Sequence, residues 1–172
     1  GSSWNIVLQT LEQLDRIIAS SKTTGGSSRE AELAVHTGGP EATTHELGIL
    51  SSALNSLFVG TTALDDEAIG HFLSALSTQC FTALAHESTS KERLASPRTA
   101  AAQPPRLFAL RKFVDTALVN VERLDVLWPL VTQFLLPVAN HKSRHIRIFG
   151  IDSFKQVVLC AMRMGAGGAE RA

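Results

Sequence analysis

The sequence has 172 residues, of which 44% are hydrophobic and 19% are charged. This length and composition predict a single globular domain, residues 1–172, with a sizeable hydrophobic core. Its 16 basic and 16 acidic side chains cancel, so no net field attracts a polyanion, and nucleic acid is excluded as the main partner. No apolar run is long enough to cross a bilayer, and the two cysteines lack zinc or disulfide spacing. A reducing, cytoplasmic compartment is therefore expected.

Apolar residues at helical spacing predict two helices separated by a polar insertion. The stripe of the first helix is Trp4, Val7, Leu8, Leu11, Leu14 and Ile18. Residues 21–43 are rich in glycine, serine, threonine and charge, and are predicted to form a flexible insertion. The second helix is expected to begin at Thr44 and to end near Gly60. Its stripe is Leu47, Leu50, Leu54, Leu57 and Phe58.

A third helix is predicted after Asp65, whose carboxylate can accept a hydrogen bond from the unpaired amides of a first turn. Asp66 and Glu67 follow it in that turn, where acidic side chains are favourable to the helix dipole. The predicted buried face is Ile69, Phe72, Leu73, Leu76, Cys80 and Leu84. A second polar stretch, residues 87–104, is predicted to be another flexible insertion.

Three further helices are predicted in the second half of the chain. The fourth is expected to begin at Pro105, to end near Asn120 and to bury Leu107, Leu110, Val114, Ala117, Leu118 and Val121. The fifth has Pro129 in its first turn, a bend at Pro137, and the stripe Leu127, Leu130, Val131, Phe134, Leu135 and Val138. The sixth is expected to end at Gly165, with the stripe Ile146, Phe149, Ser153, Val157, Val158 and Ala161.

Six amphipathic helices without a convincing strand pattern predict an all-α fold. Short connections between the last three helices favour helical hairpins stacked side by side, as in an α-solenoid. The last pair is similar to an armadillo- or HEAT-type repeat, because a late proline, Pro137, precedes a short polar turn and a second helix. That second helix contains an Ile-Arg pair at 146–147, a small residue at Gly150, and then Phe154.

Motifs that carry chemistry are missing from the sequence. No phosphate-binding GxxxxGK[ST], nucleophile GxSxG or metal-binding HExxH occurs. Asp65, Asp66 and Glu67 are interpreted as a cap and first turn, because no partner group separates them into acid and base. No catalytic residue, metal, cofactor or small-molecule substrate is therefore expected.

The turn before the sixth helix supplies four candidate interaction residues: His141, Lys142, Arg144 and His145. The HxxxH spacing suits a metal only if both imidazoles lie on one helix, and Ser143 between them is the predicted N-cap. One interpretation is a small basic patch for an acidic partner or a phosphoinositide head group. The other is structural, with Arg147 bonded to a carbonyl or acidic group at the turn and the remaining charges solvated.

A family resemblance lies in the connection between the fourth and fifth helices. Asn120, Arg123, Leu124 and Trp128 form the pattern N-x-x-R-[IL]-x-x-x-W after a helix that begins with Leu-Phe. This pattern resembles the helical segment downstream of the exchange domain in the large Arf guanine-nucleotide exchange factors. Earlier in the chain, WNIVLQTLEQL, ILSSALNSLF and LDDEAIGHFLSAL resemble, in the same order, segments of the Mon-two family of large Golgi and endosome scaffolds.

The resemblance to the Mon-two family implies a piece of a much longer protein, peripheral on Golgi and endosome membranes. Such a protein lacks the Arf-activating exchange domain, and acts with a Dopey-type partner and Arf-family small GTPases in endosome-to-Golgi transport. No catalytic residue is implied for this chain. Asn120 and Arg123 suit a buried link that fixes the turn before the fifth helix. Trp128 is either a core residue or the anchor of a protein partner.

Two alternatives remain open at the level of the sequence. The stretch GIDSFKQVV, residues 150–158, resembles the exchange factors as well as the Mon-two family. A regulatory segment of an active exchange factor is therefore the second hypothesis. The third is an importin-type cargo adaptor, which uses the same helical physics. The balanced charge gives that adaptor no support.

Overall fold

A computed structural model of the chain describes residues 2–24, 40–93 and 107–169. Every regular element in these three ranges is helical, which confirms the all-α prediction. The α-helices are α1 Ser2–Thr24, α2 Pro40–Val59, α3 Asp66–Arg93, α4 Phe108–Val119, α5 Leu124–Ala139 and α6 Arg144–Ala169. Two short 3₁₀ helices, Gly60–Ala63 and Val121–Arg123, lie in the connections before α3 and α5.

The six helices pack as three hairpins in two layers. Within the hairpins, α1 pairs with α2, α3 with α4, and α5 with α6. One layer is formed by α1, α3 and α5, in which α3 contacts both of the others. The second layer is formed by α2, α4 and α6, with α4 in the middle. These contacts are those that stacked hairpins require, whereas a continuing armadillo- or HEAT-like solenoid stays a prediction.

The core lies where the apolar faces of α3, α4 and α5 meet. All six positions predicted for the buried face of the third helix are buried. Phe113 of α4 packs against Phe134 of α5 with ring centroids 4.1 Å apart. Phe58 of α2 and Phe72 of α3 extend the same cluster, with centroids 5.9 Å apart. The middle hairpin is therefore joined to both outer hairpins by aromatic contacts.

Several helices begin or end at residues other than those predicted. α1 and α2 extend into both ends of the predicted 21–43 insertion, and residues 25–39 lie outside the described residues. α2 begins at Pro40 instead of Thr44, because a proline at the first helical position loses no intrahelical hydrogen bond. α3 likewise continues to Arg93, inside the predicted 87–104 insertion. Pro105, the expected start of the fourth helix, lies outside the described residues.

Two predictions about the last helices are wrong. Pro129 lies in the second turn of α5 instead of the first, because the helix already begins at Leu124. Leu124 is buried and continues the core stripe of Leu127 at helical spacing, so an earlier start adds apolar burial. Gly165 is not the end of α6, which continues to Ala169.

The cap of α3, in contrast, is confirmed, since the Ala68 amide donates to Asp65 Oδ1 at 2.7 Å.

Gly150 lies where α6 crosses the end of α5. A Cβ atom at this position would lie 2.6 Å from the backbone nitrogen of Ala139 and 2.8 Å from the carbonyl carbon of Val138. Real Cβ atoms do not approach backbone this closely, so only glycine permits this spacing between the two helices. Gly150 therefore sets the distance between the two helices of the third hairpin.

The outer hairpins expose apolar side chains that the stripes predicted to be buried. Leu50 and Leu57 of α2 and Val7 of α1 are exposed. Each outer hairpin has a described neighbour on one side only, so part of its apolar surface is uncovered. Cys160 of α6 is half-buried, whereas Cys80 of α3 is buried.

Candidate functional site

Arg123 joins the two connections between consecutive hairpins. Its Nη1 donates to the carbonyl oxygen of Leu64 and its Nη2 to that of Thr62, both at 2.6 Å. Both carbonyls precede α3, whereas Arg123 lies in the 3₁₀ helix before α5. Nη1 also lies 3.2 Å from Oδ1 of Asp66 in the first turn of α3. We call this arrangement the Arg123 clamp, because the guanidinium holds one hairpin connection against the next.

Asn120 lies beside the clamp and is buried. Its Nδ2 donates to Thr61 Oγ1 at 3.0 Å and to the Thr116 carbonyl at 2.9 Å. The Thr61 hydroxyl in turn donates to the Phe58 carbonyl at 2.6 Å. The amide therefore links the end of α4 to the end of α2. Asn120 Oδ1 has no hydrogen-bond partner among the described residues, so this link carries a desolvation cost.

Leu124 and Trp128, the other two residues of the family pattern, lie in different environments. Leu124 is buried at the start of α5. Trp128, one turn later, is 38% exposed. Its ring lies 6.0 Å from that of Phe154 on α6, measured between centroids. The pattern therefore combines two polar groups inside the stack, one core leucine and one surface tryptophan.

Trp128 lines a groove of about 650 Å³ between the start of α5 and the end of α6. We call it the end groove, and its lining residues are Val121, Glu122, Leu124, Asp125, Trp128, Val158, Ala161, Met162 and Met164. The walls are mostly apolar, with the two carboxylates at one side. Met162 and Met164 are exposed, and methionine side chains adapt readily to apolar partners.

The four residues of the basic turn do not all face solvent. His141 is half-buried, and its Nδ1 accepts a hydrogen bond from the Ser143 amide at 3.1 Å. Arg147 Nη1 donates to the His141 carbonyl at 3.0 Å, which is the structural bond expected for this arginine. Lys142, Arg144 and His145 are exposed. The turn therefore presents two permanent positive charges and one imidazole on a backbone that Arg147 fixes.

Few of the described side chains are suited to catalysis or metal binding. Within residues 2–24, 40–93 and 107–169, no three His, Cys, Asp or Glu side chains lie close enough to hold a metal ion. Burial, and to a lesser degree the Glu12 carboxylate, raises the pKa of the Cys80 thiol to about 12. Cys80 is therefore a thiol near neutral pH, and not a nucleophile. None of the helices in the described ranges is long and apolar enough to cross a membrane.

The acceptors of Asn120 and Arg123 could not be identified from the sequence. Thr61 is buried in the connection after α2, and nothing in the local sequence GTTA marks it as the partner of an amide 59 residues later. The acceptors at Thr62 and Leu64 are backbone carbonyls, which every residue carries. Only the two donors, Asn120 and Arg123, have side chains whose type suggests a polar link.

Similarity to known proteins runs along nearly the whole chain. Protein MON2 homolog of Drosophila melanogaster is 35% identical over 170 residues, which cover 95% of this chain. Protein MON2 homolog of Homo sapiens is 29% identical over 163 residues, which cover 92% of this chain. The chain spans 9% of the length of each of these curated relatives.

A second group of relatives matches a smaller part of the chain. An ADP-ribosylation factor guanine nucleotide-exchange factor of Schizosaccharomyces pombe is 28% identical over 109 residues, which cover 61% of this chain and 5% of that relative. No family model and no solved structure matches the chain.

Proposed function

The chain belongs to the Mon-two family, that of the MON2 homologs, and we propose that it is a non-catalytic scaffold segment of a large trafficking protein. The observation that carries this proposal is the similarity to the Drosophila relative along 95% of the chain. Because the chain spans 9% of that relative, its contribution is that of one segment within a longer polypeptide.

The placement of the polar groups supports a scaffold role. A substrate site needs polar side chains that converge on a cavity. Here Arg123 and Asn120 direct their donors to carbonyl and hydroxyl oxygens of the neighbouring hairpin connection. The end groove is mostly apolar, with its two carboxylates at one side. Such an arrangement holds helices in position and leaves surfaces for other helices.

We extend the proposal to the location and the partners of the full-length protein. We place the full-length protein at the cytoplasmic face of Golgi and endosome membranes, as a peripheral protein in endosome-to-Golgi transport. Its expected partners are a Dopey-type protein and Arf-family small GTPases. Members of the second group of relatives are named as Arf exchange factors, which supports a connection with Arf proteins.

The second candidate function is a regulatory segment of an active Arf exchange factor. It is favoured by the similarity of 61% of the chain to the Schizosaccharomyces pombe exchange factor. Under this hypothesis the full-length protein accelerates nucleotide exchange, and this segment modulates the rate without contacting the nucleotide. The scaffold hypothesis predicts no acceleration, so an exchange assay distinguishes the two.

The scaffold function can be tested with the full-length protein in cells that lack their own copy. Arg123→Ala removes the clamp, so we expect less recovered Dopey-type partner and slower return of a receptor that cycles between endosomes and the Golgi. Asp66→Asn is the matched control, because it removes only the exposed partner of the same guanidinium. Arg123→Ala could lower stability and still leave partner recovery and receptor return as in the wild type, at equal protein levels. That result would show that this segment is not part of the scaffold.

A further inference from the structure

A small cavity lies between α3 and α5, which are neighbours in the layer of α1, α3 and α5. It has a volume of about 140 Å³, and we call it the α3–α5 cavity. Its floor is formed by Leu73, Phe113 and Phe134, which are all buried. Ser74 of α3 and Gln133 of α5 are exposed at its mouth. The cavity therefore opens on the free face of this layer and reaches α4 behind it.

The mouth of the cavity faces sideways from the direction in which the hairpins stack. Hairpins added to a stack cover its two ends, and here the ends are the outer surfaces of the first and third hairpins. The α3–α5 cavity lies at the contact between the middle and third hairpins, away from both ends. An occupant must therefore come from outside the stacked helices.

The size and the walls of the cavity suit one aromatic ring. An apolar cavity of about 150 Å³ in another protein holds a single benzene molecule. Phe81, Phe113 and Phe134 line the α3–α5 cavity, and the rings of Phe81 and Phe134 meet edge to face with centroids 5.3 Å apart. A further ring can join them in the same geometry, which aromatic side chains favour. It would displace water that the apolar walls bind poorly.

The polar groups at the mouth are uncharged. The Ser77 hydroxyl donates to the Ser74 carbonyl at 2.8 Å, which leaves its oxygen free to accept a hydrogen bond. The Gln133 amide offers two donors and an acceptor. Among the described residues, no acidic or basic side chain lines the cavity. A charged ligand would lose hydration without gaining a partner, whereas a peptide backbone finds both donors and acceptors.

We propose that the α3–α5 cavity binds one phenylalanine side chain from an uncharged peptide segment of a partner protein. The ring packs against Phe113 and Phe134, and the Ser77 hydroxyl and the Gln133 amide hydrogen-bond the peptide backbone at the mouth. In such sites the main-chain hydrogen bonds supply affinity and the side-chain pocket supplies specificity. The site goes beyond the proposed scaffold function and does not depend on the trafficking role.

Methyl NMR of the 172-residue chain tests the proposal with three small probes. N-acetylphenylalanine amide carries a ring and two amide groups, N-acetylalanine amide carries the amide groups without the ring, and benzene carries the ring alone. Leu73 and Leu130 line the cavity, so ring-current shifts of their methyl groups report that it is occupied. Leu118 lines a different groove, between α4 and α6, and is the internal control.

The expected result is that N-acetylphenylalanine amide shifts the methyl groups of Leu73 and Leu130 but not those of Leu118. Its dissociation constant should be about 1 mM, as for other ligands of this size. N-acetylalanine amide should bind at least about ten-fold more weakly, because it leaves the apolar walls in water. Gln133→Ala should weaken binding of N-acetylphenylalanine amide by about two- to ten-fold, the effect of one hydrogen bond, and leave binding of benzene unchanged.

A variant that fills the mouth provides a second test. Ser74→Leu places an apolar side chain there and should weaken binding of both ring-containing probes by at least about ten-fold, because it occupies the space of the ring. Ser52→Leu is the matched control, since it makes the same change at an exposed position of α2, away from the cavity. It should bind as the wild type does. Circular dichroism of both variants checks that they remain helical.

Three results would overturn the proposal. Methyl groups that do not shift at probe concentrations up to about 10 mM, ten times the expected dissociation constant, would show that the cavity is closed to ligands. Wild-type affinity of a folded Ser74→Leu variant would show that the probes bind elsewhere. Binding of benzene, together with no effect of Gln133→Ala on N-acetylphenylalanine amide, would show a site for free apolar molecules and not for a peptide.

Discussion

Arg123 acts through the shape of its side chain more than through its charge. Its two terminal nitrogens reach two different carbonyls, which a planar guanidinium can do and a single ammonium cannot. The ion pair with Asp66 contributes little, because the Asp66 side chain is 59% exposed and water screens the attraction. Loss of the two guanidinium–carbonyl hydrogen bonds should therefore cost more stability than loss of the Asp66 carboxylate.

The first prediction compares these two losses. Arg123→Lys should lower the free energy of unfolding by about 1.5 to 3 kcal/mol, the range for hydrogen bonds to a charged group. Asp66→Asn should change it by less than about 0.5 kcal/mol, as expected of an exposed ion pair. Urea unfolding of the three proteins measures both values. Equal decreases in the free energy of unfolding for the two variants would mean that the positive charge, and not the pair of guanidinium hydrogen bonds, holds the connections together.

The second prediction uses two glycines in contrasting surroundings. Gly150→Ala places a Cβ against the backbone of α5 and should destabilise the protein by about 1 to 3 kcal/mol through overpacking. Gly48→Ala meets no atom within 4 Å. It should stabilise α2 by about 0.5 to 1 kcal/mol, since alanine restricts the unfolded chain and favours the helix. Thermal unfolding should shift in opposite directions, and a shift in the same direction would refute the close crossing of α5 and α6.

At the residue scale, the sequence predicted side-chain types better than it predicted partners. Asp65 could be assigned as a cap because the acceptor and its amides are only three residues apart. The partner of Asn120 is 59 residues away in sequence, at Thr61, and only the packing of α4 against α2 brings them together. Trp128 had two interpretations, and its exposure in a groove agrees with an interface position better than with the core.

Individual helices were predictable because their apolar stripes have a period that needs no tertiary information. The stripe of α3 was correct at all six positions, since that helix lies in the middle hairpin and is covered by neighbours. The stripe of α2 included Leu50 and Leu57, which are exposed. Periodicity identifies apolar residues, but which of them are covered depends on the number of neighbouring hairpins.

The third prediction concerns the turn between α5 and α6. Lys142 and Arg144 should give the 172-residue chain weak, salt-sensitive binding to anionic liposomes. Each charge near a membrane surface contributes about 1 kcal/mol, and the Debye length at physiological salt is about 8 Å. Co-sedimentation should therefore be detectable at low salt, negligible at physiological salt, and lost in the double variant Lys142→Glu with Arg144→Glu.

The control for the turn lies on the same helix. Lys155→Glu with Arg163→Glu reverses two exposed charges of α6 that lie outside the turn, and should leave most of the low-salt binding intact. Equal losses in both double variants would indicate a nonspecific attraction to net charge. Salt-resistant binding that survives Lys142→Glu with Arg144→Glu would place the membrane contact elsewhere.

At the scale of the whole molecule, the proposed scaffold function depends on the shape of the stacked hairpins, since the chain has no net charge. The middle hairpin is held by apolar faces on both sides and by the polar link of Asn120 and Arg123 across the connections. A stack of this type provides a long surface with fixed geometry, which is what a scaffold requires. The sequence predicted the six α-helices of the described ranges, whereas the layer of each helix follows from contacts between segments far apart in the chain.

The two candidate functions differ in whether the full-length protein accelerates nucleotide exchange on an Arf-family GTPase. Release of a fluorescent guanine nucleotide from an Arf-family GTPase measures this directly, with an established Arf exchange factor as the positive control. We expect the purified full-length protein to leave nucleotide release at the intrinsic rate of the GTPase at every concentration tested. A release rate that rises in proportion to the concentration of the protein would contradict the scaffold function and favour the regulatory segment of an active exchange factor.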